Sequence, residues 1–121
     1  MRITEHITTL LYRYECVVIP KFGAFLTQRK PAQIHETSQV FEPPQKTVSF
    51  NRQLKDNDGV LANYVAQVEG ISYEQSLKNI YVFVENITET LDSQRQVQLN
   101  GIGRFFKQGD KILFQADLHS N

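Results

Sequence analysis

Val17-Val18-Ile19-Pro20-Lys21-Phe22-Gly23-Ala24-Phe25 returns eighty positions later as Val97-Gln98-Leu99-Asn100-Gly101-Ile102-Gly103-Arg104-Phe105. Both copies fit the pattern V-x-[I/L]-x-x-[F/I]-G-x-F. In each, an apolar strand runs into a turn and a second strand opens around a phenylalanine. The glycine common to both copies marks a backbone position that a side chain would obstruct, such as a β-bulge or a turn with positive φ. A duplicated hairpin corner predicts two related units within one short chain.

Outward from the first copy, Ile3, Ile7, Leu10, Leu11 and Tyr14 share one helical face, which predicts an amphipathic helix over residues 2–14. Pro20 closes the strand over residues 16–19, and residues 22–28 are expected to pair back on it. Residues 29–45 are mostly polar and hold Pro31, Pro43 and Pro44. That stretch is too long for a tight turn and reads as an extended arm, with Val48 and Phe50 in a third strand leaving it.

Around the second copy, Asp58 is expected to cap a helix carrying Leu61, Tyr64, Val65 and Val68, with Gly70 as its stop. Ser72 and Gln75 form a capping box that opens the strongest helix of the chain. Its seam of Leu77, Ile80, Val84, Ile87 and Leu91 calls for burial against a sheet or another helix. Gln108-Gly109-Asp110-Lys111 reads as a hairpin loop before Ile112 and Phe114, and the polar tail from Ala116 is expected to fray.

The chain has 121 residues, of which 40% are apolar. A unit of about 60 residues buries a small share of its surface and is marginal alone, so two such units are expected to pack together or to dimerise. Cys16 is the single cysteine, which excludes a disulfide framework and fits a reducing, cytoplasmic setting. It reads as an inert, buried thiol.

Nothing approaches the about 18 apolar residues of a membrane span, and no signal peptide opens the chain. The segment is therefore expected to be soluble: a cytoplasmic protein, or the cytoplasmic part of a membrane-anchored one. Thirteen basic residues balance thirteen acidic ones. The balance is uneven along the chain. Between Lys21 and Lys55 the basic residues Lys21, Arg29, Lys30, Lys46, Arg52 and Lys55 stand against Glu36 and Glu42 alone, whereas between Ser72 and Asp92 Lys78 stands among Glu74, Glu85, Glu89 and Asp92.

Catalysis finds no support. His6, His35 and His119 are scattered, without carboxylates or cysteine at ligand spacing, so no metal is expected. Gly101-x-Gly103 precedes a strand, not a helix, which excludes a dinucleotide fingerprint. Ser49, Ser72 and Ser93 lack an elbow or triad context. The chain reads as a non-enzyme with no cofactor and no small-molecule substrate.

The sequence resembles the HU/IHF superfamily of bacterial histone-like proteins. Leu61-Ala62-Asn63-Tyr64-Val65-Ala66 stands where that family has its first helix, and Gly70-Ile71-Ser72-Tyr73-Glu74-Gln75-Ser76-Leu77 where it turns into the long one. Residues 97–105 match its strand corner, and Pro44-Gln45-Lys46-Thr47-Val48-Ser49-Phe50-Asn51 the strand returning from its arm. The first half passes straight from Tyr14 to Cys16, without room for the long helix.

The tandem arrangement, carried by Phe22-Gly23-Ala24-Phe25, Phe50-Asn51 and Asn57-Asp58-Gly59-Val60-Leu61-Ala62-Asn63-Tyr64, resembles a bacterial subgroup. Its paired HU-type domains stand at the N-terminus of SPOR-domain proteins. The resemblance implies an α+β fold in which two HU-like units, residues 1–57 and 58–121, pack as an intramolecular pseudo-dimer.

By resemblance, the function is weak, sequence-nonspecific DNA binding of the nucleoid-associated, chromosome-organising kind, linking chromosome to envelope. Carried over by position, the DNA contacts would be Lys21, Arg29, Lys30, Lys46, Arg52 and Lys55 in the first unit. In the second they would be Arg104, Lys107 and Lys111. The family's minor-groove wedge is usually proline. Here the expected arm tip, Ile34-His35-Glu36-Thr37, has none. The alternative is a protein–protein scaffold that grips its partner through Val40, Phe41, Pro43 and Pro44. A homodimer is compatible with either.

Overall fold

The computed structural model describes residues 2–30, 33–35, 40–42 and 45–117. Helix α1 (Arg2–Arg13) buries Ile3, Ile7, Leu10 and Leu11. Strands β1 (Cys16–Ile19), β2 (Gly23–Lys30) and β5 (Gln45–Asn51) form an antiparallel sheet in the order β1-β2-β5. Between β2 and β5 in sequence, β3 (Gln33–His35) pairs with β4 (Val40–Glu42). Helices α2 (Val60–Glu69) and α3 (Tyr73–Gln94) follow, and β6 (Gln96–Leu99), β7 (Gly103–Gln108) and β8 (Lys111–Ala116) make a second antiparallel sheet, β6-β7-β8. The fold is mixed α+β, as expected.

Local chemistry sets the helix ends. Ser72 Oγ accepts from the Gln75 N–H at 3.0 Å and opens α3, while the Gln75 side chain turns forward to Asn79 at 2.9 Å instead of closing the box. Gly70 ends α2 with φ 68°, and the Ile71 N–H reaches back to the Ala66 carbonyl at 3.1 Å, a Schellman-type stop. Asp58 does not occupy the cap position: Gly59 does, with φ 82°. Asp58 Oδ1 instead accepts from the Val60 N–H at 3.1 Å, one step further out.

The duplicated corner has the same geometry in both halves. Val17 pairs with Phe25 as Val97 pairs with Phe105. The Phe22 N–H donates to the Ile19 carbonyl, and the Ile102 N–H to that of Leu99, both at 3.0 Å. Positive φ occurs two residues before the common glycine, at Lys21 (67°) and Gly101 (82°), and in the first copy at the common glycine itself, Gly23 (155°). The common glycine serves close approach. A Cβ on Gly23 would stand 2.4 Å from Phe50 Cζ and 2.8 Å from the Asn51 carbonyl oxygen. One on Gly103 would stand 2.5 Å from both Phe114 Cζ and the Gln115 carbonyl oxygen. Each glycine is the seat of an aromatic ring from the third strand.

The repeat extends beyond those nine residues. The Thr27 N–H donates to the Glu15 carbonyl at 2.8 Å, and eighty positions on the Lys107 N–H donates to that of Arg95 at 2.9 Å. Buried Ile3, Ile7 and Leu11 have buried counterparts in Phe83, Ile87 and Leu91. Helix α1 is thus the counterpart of the C-terminal half of α3, so the first half keeps part of the long helix that its sequence gave no room for.

One core serves both halves. Phe105 of the second sheet lies 5.2 Å from Phe22, 6.0 Å from Phe25 and 4.8 Å from Phe50 of the first, ring centre to ring centre. Phe114 completes the cluster, 5.5 Å from Phe25 and 4.9 Å from Phe105. Helix α2 is tied to α3 by the fully buried Ser76, whose Oγ donates to the Ala62 carbonyl at 2.8 Å.

The turn and seat positions of the second corner, Gly101 and Gly103, separate two kinds of glycine. Gly103→Ala is expected to cost about 3 kcal/mol or more in urea unfolding, because backbone oxygen and ring must both yield. Gly101→Ala meets open space and should cost only about 1 kcal/mol for its left-handed φ. Equal losses at the two sites would refute the seat.

Candidate nucleic-acid interface

The arm is an antiparallel ribbon. Pairing of β2 with β5 runs out to Arg29↔Lys46 and Lys30↔Gln45. It resumes between β3 and β4 at Gln33↔Glu42, Ile34↔Phe41 and His35↔Val40. Val40 and Phe41 therefore stand in β4. Glu36 and Thr37 of the expected tip, together with Pro31, Pro43 and Pro44, lie outside the described residues.

The register brings Arg29, Lys30 and Lys46 together at the root of this ribbon. The Lys46 ammonium donates to the Leu11 carbonyl and lies 4.3 Å over the Tyr12 ring. It thereby places a positive charge at the C-terminal end of α1, where the helix dipole favours one. The other candidate cations divide into two groups. Lys21 sits 4.5 Å over the Tyr81 ring, and Lys107 pairs with Asp92, so both turn to α3. Arg52 and Lys111 line a shallow groove of about 720 Å³ between the ends of β5 and β8, with Asp110 beside them. Lys55 is exposed, and its carbonyl accepts from the Lys21 N–H at 3.0 Å.

Strand alternation sends Phe25, Phe50, Phe105 and Phe114 inward. The outward positions are Leu26, Gln28, Thr47 and Ser49 in one sheet, and Gln98, Arg104, Phe106 and Leu113 in the other. Arg104 Nε donates to Gln98 Oε1 at 3.2 Å. The outward face thus carries Arg104 among uncharged polar and apolar side chains, with further positive charge at the rim and arm root.

Cys16 is exposed, not buried as its strand context implied, because alternation places it outward opposite Leu26. Its thiol is held above its ordinary value, by partial desolvation first and by the Asp58 carboxylate second. His6 was hidden among scattered histidines in the sequence. It is buried, with Nε2 2.7 Å from Glu69 Oε2 and its ring edge-on to Tyr64 at 5.4 Å. Its signal was its place on the face of Ile3, Ile7 and Leu10, where a polar group must find a partner.

Two three-stranded sheets over paired helices, with one β-ribbon arm, define an HU-like, DNA-binding-type fold. Comparison with protein families agrees: residues 1–58 match CCDC81-like prokaryotic HU domain 1, and residues 59–121 match CCDC81-like prokaryotic HU domain 2. The chain belongs to this family of tandem prokaryotic HU domains. No curated protein and no solved structure matches it.

A raised thiol pKa leaves less thiolate at neutral pH, so Cys16 should react with iodoacetamide more slowly than free cysteine despite its exposure. Asp58→Asn should speed the reaction, and the gain should fade as pH rises through the thiol titration. An unchanged rate would remove Asp58 as a cause. His6→Ala is expected to lower stability by about 2 kcal/mol, read from thermal unfolding, since it empties a buried site and leaves Glu69 unpaired.

Proposed function

We propose that the chain is a weak, sequence-nonspecific DNA-binding module of the HU type. Its two units, residues 1–57 and 58–121, act as one body. The observation that carries this reading is the ribbon arm rooted at Arg29, Lys30 and Lys46, with Arg52 and Lys111 lining the groove between the ends of β5 and β8. Cations on phosphates supply most of the affinity in such binding. Arg29, Lys30, Arg52, Arg104 and Lys111 are the proposed contacts, Lys55 a peripheral one. Lys21, Lys46 and Lys107 would act less directly, since each ammonium already meets an aromatic ring, a helix-end carbonyl or a carboxylate.

No helix among the described residues is long and apolar enough to cross a membrane. Within a longer, membrane-anchored protein of the SPOR type, such a module would hold chromosome near the envelope.

A second reading, a protein–protein scaffold on the HU fold, is favoured by the sparsely charged outward face and by Leu113, which is 39% exposed there. Val40, Phe41, Pro43 and Pro44 are its proposed grip, on a partner chain or a second copy.

A gel-shift salt titration on a duplex of about 30 bp separates the two. About five phosphate contacts give a log–log salt slope no steeper than about −5. Arg29→Glu with Lys30→Glu should weaken binding at least about tenfold at low salt, with a correspondingly shallower slope. No retardation at low salt would end the DNA reading.

A further inference from the structure

The chain builds the same helix-beside-strand groove twice and fills it once. In the first half, α1 packs beside β1, with Ile7, Val17 and Ile19 in the common core, and α2 packs against both elements. His6 is the mark of that cover, held by Glu69 and Tyr64 of α2. Eighty positions on, Ile87 and Asn86 of α3 lie beside Val97 and Leu99 of β6. There these residues line an open groove of about 320 Å³, with Glu5 of α1 on its wall. The groove lies at the β6 edge of the second sheet, across β7 from β8.

We propose that this second groove takes a short amphipathic helix from a partner protein, seated as α2 is seated in the first and basic along one side. The equivalence supplies the shape: the same fold positions that accept α2 accept the guest. The side chains fit an occupant that comes and goes. Phe83, Ile87, Val97 and Leu99 give an apolar floor. Asn86, Thr90 and Gln98 stand where the covered groove has His6, Leu10 and Val18, so the rim stays solvated when open.

The charge is the remaining argument. Glu5 lines the groove, and Glu85 and Glu89 are exposed on α3 around Asn86. Among these groups a helix with Lys or Arg on its flank is attracted, and one with Glu at the place of Glu69 is repelled. The surface does not depend on whether the arm binds DNA.

The probe is the helix known to fit the first groove. Synthetic peptides of residues 59–72, native and with Glu69→Lys, are titrated into the ¹⁵N-labelled full chain. Amide shifts are expected at Asn86, Thr90 and Gln98, with the Glu69→Lys peptide binding about twofold to fivefold tighter. Glu5→Gln in the chain should remove most of that preference. Thr90→Arg should abolish the shifts with little change in melting temperature, because Thr90 is partly exposed.

Absence of shifts at millimolar peptide would overturn the proposal. So would shifts confined to α1 and β1, which would mean the peptide merely displaces α2. Shifts at the same amides that grow with protein concentration alone would assign the groove to a second copy and overturn it equally.

Discussion

The seating of Phe50 on Gly23 and of Phe114 on Gly103 is the constraint on which the rest of the molecule depends. Each ring occupies the space a Cβ would need, so each third strand can lie at only one height on its hairpin. Registers of Phe25 with Phe50 and of Phe105 with Phe114 follow from it. The rings so placed meet their counterparts from the other sheet. Phe50 is edge-on to Phe105 at 82°, and Phe22 likewise at 67°. Aromatic pairs of this kind add about 0.5–1.5 kcal/mol each beyond area burial. Two sheets that share no hydrogen-bonded ladder among the described residues are thereby held in one core.

The two halves are unequal because each uses that core differently. The first extends its β2–β5 pairing into an arm, whereas the second closes the equivalent hairpin with Gly109 and Asp110 between Gln108 and Lys111. The second carries α2 and the full length of α3, whereas the first carries only the counterpart of the C-terminal half of α3. Helix α2 reaches back over α1 and β1, so the first half depends on the second for its cover. A unit of about 60 residues is marginal alone, and here neither half closes its own core.

Much of this was legible in the sequence, and the reasons are specific. The spacing of Ile3, Ile7 and Leu11 and of Ile80, Val84, Ile87 and Leu91 gave the helices, because one-sided burial writes a period of 3.6. Gly70 and Ser72 gave the break between α2 and α3 through backbone chemistry confined to a few residues. What escaped notice depends on distant partners. The role of Gly103 is set by Phe114 on another strand, and that of His6 by Glu69, which is 63 positions away. The candidate interface was legible as a list of charges and not as a surface. Whether Lys46 faces solvent or the end of α1, and whether Lys107 meets Asp92, is decided by packing that no local pattern encodes. The exposure of Cys16 likewise follows from which face of its strand meets the core.

The single arm has a geometric consequence. A dimer of identical subunits is isologous: turned end for end, it presents the same surface, and a long ligand laid across it has no preferred direction. This chain carries an arm continuing from one sheet and a two-residue turn at the corresponding corner of the other. It therefore has a head and a tail. Anything that spans both sheets meets different chemistry at its two ends, so even a partner without sequence features of its own is held with a defined polarity.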